Sequence, residues 1–167
     1  DVTENKDEIE RLYLEGLMKP TGDRKFSPQM GITRGNFVET LMNVFKISAE
    51  CEEMFTDVPE THANYKAIAA AKAYFIIGGD ENGNFRPDEP ITKQDMLVIA
   101  KKTIDNSMKY RNEIRSDNNT DTSFVAPYAV GDVNHMLKYG YLEPEKDYRE
   151  NATRQDVAKL LYNILWE

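Results

Sequence analysis

The sequence predicts an all-α module built from three helix-loop-helix repeats, and three observations carry that reading. A Thr-led phrase occurs three times, as Ile32-Thr33-Arg34, Ile91-Thr92-Lys93 and Ala152-Thr153-Arg154, with the threonines 59 and 61 residues apart. An apolar stripe of helical period follows each Thr, and a shorter amphipathic stretch precedes each phrase. A chain of 167 residues suits one compact domain or a few small modules sharing one core.

The first elements of each copy are aligned by Ile9, Ile68 and Val133, each seven residues before the phrases Gly16-Leu17-Met18, Phe75-Ile76-Ile77 and Gly140-Tyr141-Leu142. Turn residues such as Gly78-Gly79-Asp80 and Asn82-Gly83-Asn84 fill the loops. Phe26-Ser-Pro28 and Phe85-Arg-Pro87 each place Phe seven residues before the Thr; the third loop is four residues shorter and lacks Phe-x-Pro. The second helices should begin at the Thr, whose hydroxyl can accept from a free backbone N–H two or three residues on. Asp95 and Asp156 stand where a capping-box acid belongs, and Asn36 takes that place in the first copy. The stripe then reads Phe37, Met96 and Val157 at the fourth position, and Leu41, Ala100 and Leu161 at the eighth. A pair of short helices cannot hide its apolar face alone, so the three pairs are expected to share a core with the longer second helices at its centre. The repeats are drawn at 1–47, 48–115 and 116–167, the second including the acidic connector Ser48–Pro59.

Composition removes several classes. With 21 Lys+Arg against 29 Asp+Glu, the net charge of −8 disfavours nucleic acid, which needs a local cationic excess. No apolar stretch exceeds five residues, far short of the roughly 20 a membrane-spanning helix requires, so no membrane insertion is expected. Cys51 cannot form an internal disulfide, and no zinc-type Cys/His spacing exists. Asp80-Glu-Asn82-Gly-Asn84 opens like a calcium loop but has Phe85 and Ile91 where Gly and Glu are needed. No metal, cofactor or catalytic residue is therefore assigned. Cys51 sits among acids that raise a thiol's pKa, and no carboxylate pair is placed for acid/base work, so an enzyme is not expected. Met42, Met96, Met108, Met136 and Trp166 read as core, His135 as a helix-surface residue. The chain begins at Asp1 without an initiator Met or a signal-like apolar core, as expected of a processed protein or an excised piece.

The middle copy, Phe55-Thr-Asp57-Val-Pro59, His62-Ala63, Ala67-Ile68, Gly83-Asn-Phe85-Arg-Pro87 and Ile91-Thr92-Lys93, resembles the S-layer homology (SLH) domain. That family's repeats run roughly F-x-D-V-P, H-W-A, A-I, G-x-F-x-P and I-T-R-A-E. Gly140 and Ala152–Ala158 carry the likeness into the third copy; Phe26-x-Pro28 and Ile32-Thr33-Arg34 carry it into the first, with Asp1-Val2 as a remnant of the opening phrase. The resemblance implies a monomeric, three-pronged pseudo-trimer around a central helical bundle, secreted and held at the bacterial cell surface. It implies non-covalent anchoring to a secondary cell-wall polysaccharide, often pyruvylated, in grooves between repeats. Other surface-layer proteins are further candidate partners. The basic residue of the T-R-A-E phrase carries over to Arg34, Lys93 and Arg154; Asp57, Asn64 and Gly79 complete the candidate ligand-binding set.

Elementary electrostatics supports the three cations. A positive side chain in the first turn of a helix meets the helix's own partial positive charge, a penalty of roughly 0.3–1 kcal/mol. An anion there would reverse the sign, meeting free N–H groups, the dipole and a full charge together. The competing reading is that these cations pair with nearby acids such as Asp95 or Asp156. The sequence also departs from the family. The Trp of H-W-A is Asn64 in the middle copy, the Ala-Glu after Thr-Arg becomes Gly35-Asn36, Gln94-Asp95 and Gln155-Asp156, and Lys93 lacks the planar fork of Arg. Tyr65, Tyr74, Tyr128 and Tyr141 are candidate replacements for the aromatic face, although helix tyrosines are more often partly buried core. These departures leave a second reading open: a degenerate SLH module serving as a protein-interaction or spacer element.

Overall fold

The computed structural model describes residues 1–22, 25–107 and 121–167. Six helices occur among them: α1 (Lys6–Leu14), α2 (Arg34–Phe45), α3 (Tyr65–Ala73), α4 (Lys93–Ser107), α5 (Val130–Lys138) and α6 (Arg154–Trp166). Among the described residues β pairing is confined to isolated bridges. The 115/116 repeat boundary and Met108 lie outside the described residues.

Each repeat contributes a short and a long helix, as the periodicity predicts. All three short helices end alike. Gly16, Phe75 and Gly140 adopt left-handed φ values of 69°, 56° and 68°, and in each turn the N–H of that residue and of the next fold back on helix carbonyls, as in Leu17 to Leu12 and Ile76 to Ala71. This closing turn satisfies carbonyls the helix leaves unpaired and normally takes glycine, which lacks the Cβ that clashes there. Phe75 adopts it without that relief and is 87% exposed.

The long helices begin at the threonines. Thr33, Thr92 and Thr153 each accept from the N–H three residues on, at 3.3 Å in every case. The reciprocal arm of a capping box forms in the third copy, where the Asp156 carboxylate accepts from the Thr153 N–H at 2.7 Å. Asp95 leaves the box and turns into a groove, as described below.

Helices of one repeat do not form the main packed pairs. Instead α2 packs on α3, α4 on α5, and α6 on α1, while α2 also meets α4. Each long helix is thus covered by the short helix of the next repeat, and the third returns to the first. The expected stripe fills the shared core: Phe37, Val38, Leu41, Met96, Leu97, Ala100, Val157, Ala158 and Leu161 are all buried. Met42 and Met136 are buried as expected, and Trp166 is partly buried against the core with Arg11 stacked 4.3 Å from its ring centroid.

A ring of backbone hydrogen bonds ties the copies together just ahead of the long helices. The Ile32 N–H donates to Ala152, Ala152 to Ile91, and Ile91 to Ile32, at 3.3, 2.8 and 3.1 Å. Every repeat donates to one neighbour and accepts from the other.

Candidate inter-repeat anion grooves

At the helix starts a second ring of bonds runs in the opposite sense. The Arg34 and Gly35 N–H groups donate to Glu89 and Pro87 of the second repeat, Lys93 and Gln94 to Glu150 and Tyr148 of the third, and Arg154 and Gln155 to Met30 and Pro28 of the first. This corrects the expectation of free backbone donors for an external anion. The first two N–H groups of each long helix are already satisfied by the neighbouring loop, so an arriving anion would rely on the cationic side chains.

Asp57 explains how those loops are held. Its carboxylate accepts from Phe85 at 2.9 Å and Arg86 at 2.6 Å, and Asp1 does the same for Phe26 at 3.0 Å and Ser27 at 2.7 Å. Arg86 and Ser27, both at left-handed φ, bend the chain at these points. Gly79 is equally structural: a Cβ there would lie 3.1 Å from the Phe55 ring, which stacks on Phe85 with centroids 5.3 Å apart. Asn64 is buried, donates to Asn36 at 3.3 Å, and sits so close to the start of α2 that a Cβ on Gly35 would come within 2.7 Å of its side-chain oxygen. The geometry puts Asp57, Asn64 and Gly79 in the scaffold that shapes the grooves, apart from the cations.

Arg34, Lys93 and Arg154 occupy equivalent places but different surroundings. Arg34 donates through Nε to the Phe85 carbonyl at 3.0 Å and lies over the Phe85 ring. Its Nη1 reaches the Asp95 carboxylate at 3.0 Å. Asp95 also accepts from the Tyr128 hydroxyl at 2.5 Å, and that hydroxyl accepts in turn from the Gln94 amide at 3.1 Å. Burial of the hydroxyl, together with Asp95 accepting its proton, pushes Tyr128 up to about 12. Three repeats therefore meet at this point.

Lys93 pairs with the Glu145 carboxylate, with Glu150 3.9 Å away. Burial lowers the ammonium's pKa, but Glu145, Asp156 and Glu150 outweigh it and the net shift is upward. Arg154 repeats the Arg34 pose: Nε donates to the Phe26 carbonyl at 2.8 Å, and the guanidinium lies over the Phe26 ring at 4.5 Å. Its Nη2 donates to the Lys19 carbonyl at 2.6 Å. Among the described residues no carboxylate pairs with it, and burial depresses its pKa without an acid to offset the effect.

The aromatic candidates separate cleanly. Tyr141 is buried and Tyr65 partly so, whereas Tyr74 and Tyr128 are 45% and 63% exposed, contrary to their reading as core. Counting from His62, the second place of the H-W-A phrase is Ala63, and Asn64 takes the third; this corrects the position of the missing Trp. Aligned on Ile68 and Val133, Tyr128 stands at the Ala63 place in the third copy. Its ring is exposed beside the Arg34–Asp95 pair. Sequence alignment of the copies could have found this replacement.

The signals set aside also find structural roles. Asp80 accepts from the Asn82 and Asn84 N–H groups and from Arg86, forming a closed turn. No cluster of potential metal ligands occurs among the described residues. Cys51 donates to the Glu53 carbonyl, and His62 accepts from the Asn64 N–H at 3.1 Å. No described helix is long and apolar enough to cross a membrane.

A family model for the S-layer homology domain matches residues 1–38 and 55–97. The chain is 29% identical to an amylopullulanase of Thermoanaerobacterium thermosulfurigenes, aligned over 99% of this chain and 9% of that protein. It is also 29% identical to an endoglucanase of Bacillus sp. (strain KSM-635), over 95% of this chain and 17% of that one. A surface-layer 125 kDa protein of Lysinibacillus sphaericus is 30% identical, over 60% of this chain and 9% of its own length. The chain thus spans a small fraction of each of these relatives.

Proposed function

The chain belongs to the S-layer homology domain family, the non-catalytic modules that anchor surface proteins to the cell wall, and we propose that it anchors by binding a wall polysaccharide in its inter-repeat grooves. The ligand is an anionic secondary wall glycan, most simply one bearing pyruvate ketals. The observation that carries the reading is the cyclic placement of Arg34, Lys93 and Arg154, each at the start of a long helix and against the loop of the next repeat. A partly buried guanidinium over an aromatic ring can grip a carboxylate with two parallel bonds while its apolar surroundings strengthen the attraction. The exposed Tyr128 ring offers a face on which a sugar can stack. The whole protein is on this reading secreted and held at the cell surface, with this module as its point of attachment.

The decisive experiment is co-sedimentation of the chain with purified wall polysaccharide, before and after removal of pyruvyl groups. Binding that disappears with the pyruvyl groups is expected; equal binding after their removal would overturn the carboxylate mechanism. A second reading, a degenerate module that serves as a protein-interaction or spacer element, draws on two of the cations being paired internally. It predicts no sedimentation with either polysaccharide.

A further inference from the structure

The three cations are equivalent in register, and the chain itself demonstrates what such a cation holds. Arg34 holds the carboxylate of Asp95 and Lys93 holds that of Glu145. Arg154 has the same aromatic floor and the same Nε–carbonyl anchor as Arg34, and among the described residues it holds no carboxylate.

One difference lies in the register of the long helices. Arg34 pairs with the third residue of the next repeat's long helix, Asp95. Carried around the ring, that register sets Lys93 toward Asp156, whose charge helps raise the lysine's pKa, and Arg154 toward Asn36. Asn36 is neutral, so among the described residues the repeat 3–repeat 1 groove offers Arg154 no acid in this register.

We infer that two of the three grooves are self-occupied, with Asp95 and Glu145 acting as built-in competitors for the external carboxylate, and that the Arg154 groove is the open one. This rests on the reading of the grooves as anion sites and adds which of them is live. It also assigns Asp95 and Glu145 as determinants of stoichiometry: one carboxylate bound per chain, with a second admitted when Asp95 is neutralised. A competing internal carboxylate has a very high effective concentration, which a dilute external anion of equal intrinsic affinity cannot match.

The test uses two probes, so that it separates from the anchoring proposal. In the first, sodium pyruvate is titrated into the isotopically labelled chain at constant ionic strength, and the arginine Nε–H signals are followed by NMR. The expected result is a saturable shift at Arg154 with Arg34 unmoved, and a new response at Arg34 in the Asp95→Asn variant. Equal responses at Arg34 and Arg154 in the unaltered chain, or no response at Arg154, would overturn the inference. In the second, pyruvylated polysaccharide is titrated calorimetrically: Arg154→Gln should weaken binding by about tenfold or more and Arg34→Gln by less than about twofold, the loss expected for a charge-assisted contact present in one case and absent in the other. If pyruvate shifts Arg154 but the polysaccharide does not bind, the anchoring proposal fails while the groove assignment stands. If the polysaccharide binds and Arg34→Gln weakens it as much as Arg154→Gln, the reverse holds.

Discussion

Arg34 and Asp95 form an ion pair across the boundary between the first and second repeats, Nη1 to Oδ2 at 3.0 Å, with both side chains at most a quarter exposed. The pair joins two helix starts that are 61 residues apart in the chain. Its acid is the residue expected to cap its own helix, so a local role has been exchanged for a long-range one.

A double-mutant cycle measures that exchange. Arg34→Ala removes the pair, the bond to the Phe85 carbonyl and the ring contact, and is expected to cost about 2 kcal/mol. Coupling with Asp95→Ala should be about 1 kcal/mol in urea melts. A coupling near zero would show that the two residues contribute independently.

Phe75 predicts a stabilising substitution. It occupies the left-handed position that Gly16 and Gly140 fill in the other copies, and its ring is almost fully in solvent. Phe75→Gly should relieve about 1 kcal/mol of backbone strain and lose little buried area. A rise in denaturation midpoint is the expected outcome; a fall would mean that the ring carries a packing role.

Asp57 should be far more costly to remove than its exposure implies. Two backbone donors would lose a charged acceptor, so Asp57→Ala is expected to destabilise by about 2–3 kcal/mol. Asp88→Ala, at a side chain 87% exposed, is the matched control and should change thermal stability little.

A cavity of about 340 Å³ lies beside Phe26, lined by Val2, Ile9, Tyr13 and Pro20 among others. The second repeat buries Phe55, two residues before Asp57, against Phe85 and Gly79, the counterparts of Phe26 and Pro20. Adding Phe-Thr ahead of Asp1 should therefore raise stability by about 1–2 kcal/mol relative to adding Ser-Thr, the gain from burying one aromatic side chain. Equal melting temperatures for the two extended chains would contradict the assignment.

His135 gives a pH dependence of defined sign. Burial, aided by Lys101, lowers its pKa below the ordinary 6.5, against the opposing pull of Asp105 and Asp132. The unfolded chain then takes up a proton at a higher pH than the folded one, so this residue's contribution is complete above about 6.5 and is lost as pH falls through the window below it. Stability measured from pH 7.5 to 5 should fall less steeply in His135→Gln.

Much of this was legible in the residues. Three Thr-led phrases located the long helices because a hydroxyl cap is a local interaction, written within four residues. Asp1 was readable as the counterpart of Asp57 because Asp1-Val2 repeats the Asp57-Val58 of the opening phrase. What escaped was which copy faces which. Periodicity says that Arg34, Lys93 and Arg154 are equivalent; it says nothing about Arg34 reaching forward to Asp95, or about α2 leaning on α3 more than on α1. The same gap hid the fate of the helix N–H groups, which look free in one repeat and are satisfied once the neighbouring loop is present.

The packing of α1 on α6 gives the ring a single seam, where the first helix meets the last. Tension applied at either end of the chain is delivered to that seam, whichever end carries the load. Breaking it exposes both helices' apolar faces together, so the module should yield to force as one cooperative unit and not repeat by repeat. With the Arg154 groove as the proposed binding site, the point of attachment and the point of closure are then the same place.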